Sequence, residues 1–125
     1  MKKLLLLFAP ILLSAYVSAQ TADQRLLSSY SQQELNEIKT NDPGMINMLI
    51  YALDHACYIT DLPSGKSTDL GNPVSVDINR AVCFADLGLK IEDHNQYLPV
   101  KGTSKMLVVK STFVLKNELK NATHE

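Results

Sequence analysis

The sequence predicts an α+β fold in one small domain that follows a cleavable leader. Three observations support this prediction. Apolar residues recur at helical spacing in two stretches before residue 54, and apolar and polar residues alternate at strand spacing after it. Two further strand-like runs flank a short glycine-containing loop near the end of the chain. Helices before and after a small set of strands are typical of an α+β domain with a short, mainly antiparallel sheet.

The composition is that of an ordinary globular protein. The chain has 125 residues, of which 46% are hydrophobic and 20% charged, which excludes a collagen-like repeat and a wholly disordered chain. The formal net charge is -1. A near-neutral chain lacks the basic surface that nucleic-acid binding requires, so we expect no nucleic acid among its partners. No motif indicates a cofactor, and we expect none.

Residues 1–19 have the pattern of a secretory signal peptide. Lys2 and Lys3 precede an apolar run over residues 4–15, and small residues two apart follow in Val17-Ser18-Ala19. The apolar run is shorter than the roughly 20 residues that cross a membrane. We therefore expect cleavage after Ala19, a single domain over residues 20–125, and export to the periplasm or the cell exterior with no membrane span left.

Two helices are predicted next. Ser31 and Glu34 have the spacing of a capping box, which predicts a helix from Gln32 to about Lys39. Asp42 and Pro43 suit the cap and first position of a second helix. The apolar face of this helix comprises Ile46, Leu49, Ile50 and Leu53, and Met45 and Met48 broaden it. We interpret this face as part of the core rather than as a methionine-rich binding face.

The middle of the chain predicts short strands separated by loops. Alternation from His55 to Asp61 predicts a strand, and residues 61–73 read as a loop. Alternation predicts another short strand over Val74 to Ile78. Residues 80–91 carry apolar residues at mixed spacing, and Gly88 weakens a helical interpretation, so their structure stays open.

The end of the chain predicts a β-hairpin and a closing helix. Strands over Tyr97 to Lys101 and Lys105 to Ser111 flank a three-residue loop. Pro99 cannot donate to a ladder and predicts an edge strand, whereas the apolar run 106–109 predicts a central strand. The helix is expected over residues 112–120, capped by Ser111, with two residues facing inward, Phe113 and Leu119.

Cys57 and Cys83 are the only two cysteines. Export would place them in an oxidising compartment, so we predict a disulfide between them. It would close a loop of about 25 residues and contribute roughly 3–4 kcal/mol. The alternative is a pair of buried free thiols, because both lie in apolar sequence.

The sequence assigns no catalytic residue, but two Asp-His pairs are candidates. Asp54 and His55, with Asp93 and His94, would suit a hydrolase if they converged in one pocket. With Cys57, the first pair could also form half of a metal site and the second pair the rest, but tight sites show closely spaced ligand pairs, and a disulfide-bonded Cys57 could not ligate. We expect no metal.

Two segments carry a family resemblance. Ile46-Asn47-Met48-Leu49-Ile50-Tyr51, running into Ala56-Cys57-Tyr58-Ile59, resembles a pattern in small exported bacterial proteins of unknown function. The stretch from Lys101 to Ser111 is similar to their closing hairpin. The resemblance implies export and a compact α+β fold, and it assigns no activity or functional residue.

These observations favour a non-catalytic binding or accessory module whose partner is a protein or another component of the cell envelope. The alternative is a small secreted hydrolase that uses the two Asp-His pairs. A third class, a structural subunit, would need an exposed strand edge, for which the strand containing Pro99 is the candidate.

Overall fold

In the part of the chain that the structure describes, three helices and a three-stranded antiparallel sheet confirm the predicted α+β fold. The structure is a computed structural model and describes residues 24–63 and 70–123. The predicted leader and residues 64–69 of the predicted loop lie outside these ranges. A helical turn at residues 24–26 precedes the main elements, which are α1 (Gln32–Asn41), α2 (Pro43–His55), β1 (Cys57–Asp61), a 3-10 helix (Phe84–Leu87), β2 (Gln96–Pro99), β3 (Lys105–Val109) and α3 (Thr112–Thr123).

Both N-terminal helix caps form as predicted. The Ser31 hydroxyl accepts from the Glu34 N–H at 3.0 Å, and the Glu34 carboxylate accepts from the Ser31 N–H at 2.9 Å. Asp42 ends α1 and starts α2, because its N–H donates to the Ile38 carbonyl at 2.7 Å and its carboxylate accepts from the Met45 N–H at 3.2 Å. These bonds satisfy backbone groups that helix ends otherwise leave unpaired.

The buried face of α2 differs from the predicted one in excluding Ile50 and including Ala52. Ile50 is 39% exposed, so its assignment to the core was wrong, whereas Met48 is fully buried. The buried stripe is therefore centred between Leu49 and Ala52 and turns away from Ile50. The helix contributes five residues to the core, Ile46, Met48, Leu49, Ala52 and Leu53.

The sheet has the order β1-β3-β2, with both pairs antiparallel. Central β3 is buried on both faces, as its apolar run predicts, and Leu107 and Val109 point into the main core. Cys57 of β1 and Gln96 of β2 both lie opposite Val109, so these three residues form one row. The β2–β3 hairpin forms as predicted, and Gly102 takes the positive φ of 73° that its turn requires.

The outer edge of β2 is covered by a neighbouring segment. The Gly71 N–H donates to the Tyr97 carbonyl at 2.8 Å, and the Val74 N–H donates to the Pro99 carbonyl at 2.9 Å. The Lys101 N–H donates to the Val74 carbonyl at 2.9 Å. The predicted strand over residues 74–78 is thus reduced to one isolated bridge, between Val74 and Val100. The edge predicted as a docking edge is already occupied.

Residues 80–91 contain a single turn of 3-10 helix, Phe84–Leu87, and otherwise no regular element. Phe84 and Ala85 bring it into the core, where it packs against α2. Gly88 ends the turn at φ 70°, a conformation that side-chain-bearing residues rarely adopt. The Leu89 N–H then donates back to the Phe84 carbonyl at 3.1 Å.

The closing helix α3 starts at the predicted cap. The Val114 N–H donates to the Ser111 hydroxyl at 3.3 Å, and the Ser111 N–H donates to the Asn95 carboxamide at 2.8 Å. The inward position assigned to Phe113 was wrong, since this side chain is 71% exposed and Leu115 is fully buried instead. Leu119, one turn later, packs against the core as predicted. Within the described ranges, no helix combines the length and apolarity needed to cross a bilayer.

Candidate binding groove

The first predicted catalytic pair lies at the end of α2. The Asp54 carboxylate forms an ion pair with the Arg25 guanidinium at 3.4 Å. The ring of His55 stacks on the ring of Tyr51, one helical turn earlier, with centroids 4.1 Å apart. The ion pair of Asp54 thus connects the end of α2 to Arg25, and the His55 ring packs against the ring of Tyr51.

The second predicted pair lies in the exposed turn before β2. His94 Nδ1 and Asp93 Oδ1 are 2.9 Å apart, and both side chains face solvent. His94 lines a depression of about 560 Å³ beside β2, but His55 is not among the residues that line it. The depression that His94 lines therefore lacks the other pair, which the hydrolase interpretation requires in the same pocket.

A metal site built from these residues finds no support in the geometry. Among residues 24–63 and 70–123, no three His, Cys, Asp or Glu side chains are grouped so that they could hold a metal ion.

A polar cluster joins α2 and α3 to the sheet. Glu118 accepts from the Tyr51 hydroxyl at 3.1 Å and from Lys110 Nζ at 2.8 Å. Lys110 Nζ also lies 5.9 Å from the centre of the Tyr58 ring. Burial and the neighbouring Glu118 raise the pKa of Tyr51. Each charge in this cluster has its partner within the cluster, so it holds the helices to the sheet.

The predicted disulfide is absent from this structure, where Cys57 and Cys83 are free thiols. Burial, and after it the nearby Cys83, raise the pKa of Cys57 to about 12. Both thiols are free, as in the alternative left open by the sequence, but only Cys83 is buried and Cys57 is half-buried.

An open groove of about 400 Å³ lies between α1, α2 and the segment around residue 91. That volume falls within the range of small-molecule and side-chain pockets. Its floor is apolar, and it includes a methionine, whose flexible side chain can adapt to different partners. Four side chains form this floor, Ile38, Met45, Leu49 and Ile91.

The rim of the groove is acidic. Glu34, Glu37 and Asp42 all line it, and Glu37 and Asp42 are exposed. The Glu37 carboxylate accepts from the Gln33 carboxamide at 3.3 Å, a neutral donor that leaves its negative charge uncompensated at that contact. The Asp42 carboxylate accepts a backbone N–H as the α2 cap. The rim therefore presents negative charge directly beside an apolar floor.

The wall opposite α1 is held by three interactions. Lys90 Nζ bonds the Glu34 carboxylate at 2.7 Å and lies 5.4 Å from the centre of the Tyr30 ring. The Ile91 N–H donates to the Tyr30 hydroxyl at 3.0 Å. Lys90 and then the Ser31 N–H hold the pKa of Glu34 below its usual value, so that carboxylate is ionised at neutral pH. These contacts connect the wall at residues 90 and 91 to Tyr30 and Glu34.

The sequence contains one signal for this groove. Glu34, Ile38 and Asn41 are spaced four and three residues apart, so they share one face of α1. The opposing wall comes from residues 90 and 91, more than fifty positions further along the chain. No local sequence pattern predicts the contact between α1 and residues 90 and 91.

We compared the chain with protein families, curated proteins and solved structures. No protein-family model, no curated protein and no solved structure matches this chain.

Proposed function

We propose that this protein is an exported, non-catalytic binding module of the cell envelope. Its proposed ligand is a peptide segment of another envelope protein that places a lysine or arginine beside apolar side chains. The observation that carries this proposal is the groove between α1 and α2, with its apolar floor and acidic rim.

The chemistry of the groove favours this class of ligand. Burying an apolar side chain on the floor contributes about 25 cal/mol for each Å² removed from water. A cationic group beside it would lie against Glu37 and Asp42, where exposed charges add specificity and association rate more than affinity. An anionic ligand would be repelled by the same rim, so the groove selects for positive charge.

The hydrolase alternative has no comparable support. It requires His55 and His94 to act in one pocket, and they lie on different features of the surface. For this reason we retain the binding function as the proposal.

Export is the second part of the proposal, and it rests on the pattern of residues 1–19. We expect the full chain, expressed in a Gram-negative host, to be recovered from the periplasm or medium with Gln20 as its first residue. Intact-mass measurement of that fraction gives the cleavage site directly. Full-length protein confined to the cytosol would contradict export, and an uncleaved protein in the membrane would show that the leader acts as an anchor.

Binding can be tested with a fluorescein-labelled peptide of alternating lysine and leucine. We expect a saturable rise in anisotropy that weakens as salt screens the rim. A glutamate-leucine peptide of the same length serves as the ligand control and should bind at least about tenfold more weakly, a difference of about 1.4 kcal/mol.

Matched variants assign the peptide to the groove. Glu37→Lys should weaken binding about fivefold to tenfold, because it reverses one rim charge, and exposed charges contribute about 1 kcal/mol. Asp93→Lys makes the same charge change on a side chain that does not line the groove and should leave binding unchanged. Equal losses in both variants would show general charge attraction and would overturn the assignment.

A further inference from the structure

Strand β1 uses only half of its backbone groups in the sheet. The Lys110 N–H donates to the Ala56 carbonyl and the Leu62 N–H donates to the Ser104 carbonyl, both at 2.9 Å. In an antiparallel ladder, alternate residues bond the same neighbour. The observed register therefore places Tyr58 and Thr60 in the same set, bonded to β3.

The other set points away from the sheet. The backbone N–H and C=O groups of Cys57, Ile59 and Asp61 lie on the outer edge of β1, and no backbone hydrogen bond joins them to a described residue. The opposite edge of the sheet differs, since residues 71 and 74 bond the outward groups of β2. An unpaired strand edge is a template for another strand.

We propose that β1 pairs with β1 of a second copy of this chain, antiparallel, about a two-fold axis at Ile59. In that register Ile59 lies opposite the partner's Ile59, and Cys57 lies opposite the partner's Asp61. Each outward N–H then meets an outward C=O. The two three-stranded sheets become one continuous sheet of two copies.

Three features favour a second copy over an unrelated strand. The residues whose backbone groups point outward, Cys57, Ile59 and Asp61, are spaced symmetrically about Ile59. A two-fold axis at Ile59 therefore gives each of them a partner residue. Asp61, the charged residue of this edge, meets a cysteine rather than another carboxylate, which avoids the repulsion of like charges directly opposite. On the other face, Tyr58 meets the partner's Thr60, and aromatic and β-branched residues are favourable cross-strand neighbours.

The covered edge of β2 also fixes the size of the assembly. Because residues 71–74 bond that edge, a second copy cannot extend the sheet there. Pairing through β1 is isologous and uses the free edge of both copies, so it closes at two and does not propagate into a fibre. This dimer is independent of the groove, which is lined by α1, α2 and Ile91.

The test combines mass in solution with amide exchange on the full mature chain. We expect light scattering to show a monomer–dimer equilibrium in which half of the chains are dimeric at about 100 µM, because a short strand edge buries little surface. The amides of Ile59 and Asp61 should become protected from exchange as concentration rises. The amides of Tyr58 and Thr60, which bond β3, should be protected at every concentration and serve as an internal reference.

A pair of variants at one position separates edge pairing from loss of the side chain. Asp61→Pro removes an outward N–H and should shift dimerisation at least about tenfold towards monomer. Asp61→Ala also loses the ion pair with Lys105 but keeps the N–H, and should stay within about twofold of the parent chain. A monomer at all concentrations, with fast exchange at Ile59 and Asp61, overturns the proposal. Dimerisation that leaves those two amides unprotected overturns it as well.

Discussion

Replacing Phe84 with alanine is expected to lower the free energy of unfolding by about 3–5 kcal/mol. Phe84 is 0% exposed and is among the largest fully buried side chains of the described chain. It lies on the 3-10 turn that packs against α2. Removing the ring loses its burial and leaves a cavity that the surrounding core fills only partly. Domains of this size have about 5–15 kcal/mol of stability, so one substitution would remove a large share.

Phe113→Ala is the matched control, because it deletes the same ring from a side chain that is 71% exposed. We expect a change within about 0.5 kcal/mol. Urea unfolding followed by circular dichroism gives both values from the shift in midpoint. Similar losses in the two variants, or the larger loss at Phe113, would show that the 3-10 turn is not part of the core.

The contrast between these two phenylalanines shows where sequence reasoning works in this chain. The helix caps at Ser31 and Asp42 were predicted, because a cap depends on residues within three positions of each other. The β2–β3 hairpin was predicted for the same reason, since its register follows from a three-residue loop. All the residues that determine a helix cap or a short hairpin lie close together in the sequence, so a local pattern is enough to predict these features.

Side-chain burial on short or irregular elements was less predictable. Phe84 stood in a stretch of mixed spacing, and its burial depends on contact with α2, about thirty residues earlier. Phe113 was assigned inward because it is apolar, but Leu115 and Leu119 lie four residues apart and define the buried side of α3. The predicted strand over residues 74–78 failed similarly, since only Val74 reaches a partner strand.

The candidate site was the least predictable feature. The adjacent Asp and His residues were candidates for catalysis because an acid and a base lie side by side in the sequence. In the structure, His55 stacks on Tyr51 and His94 faces solvent. The groove instead takes one wall from α1 and another from Ile91. Its acidic rim could be read from the spacing of Glu34 and Glu37 on α1, but its apolar floor depends on tertiary packing.

The cysteines show a related limit. The disulfide was predicted from the compartment that the leader indicates, whereas both cysteines are free thiols in the structure. In the reduced protein, Cys57 is a partly buried thiol. Burial disfavours its charged form, and this has a measurable consequence at high pH.

We expect the reduced protein to lose stability between about pH 9 and pH 12 because of Cys57. Burial raises the pKa of Cys57 from 9.0 to about 12 in the folded protein. Above about pH 9 the unfolded chain releases this proton while the folded chain keeps it, so the unfolded state binds fewer protons. The free energy of unfolding therefore falls as pH rises through this window, and the contribution is fully retained below it.

The expected loss attributable to Cys57 is about 2 kcal/mol by pH 11 or so, reduced from the full linkage value because the side chain keeps some contact with solvent. Urea unfolding at stepped pH in a phosphine reductant measures it. Tyr30 and Tyr51 also have raised pKa values and add their own alkaline loss, so the comparison is with Cys57→Ala at each pH. The variant should start less stable near neutral pH and decline more slowly, so that the two curves converge. Parallel curves would show that the Cys57 thiol ionises as readily in the folded chain as in the unfolded one, and would contradict its burial beside Phe84.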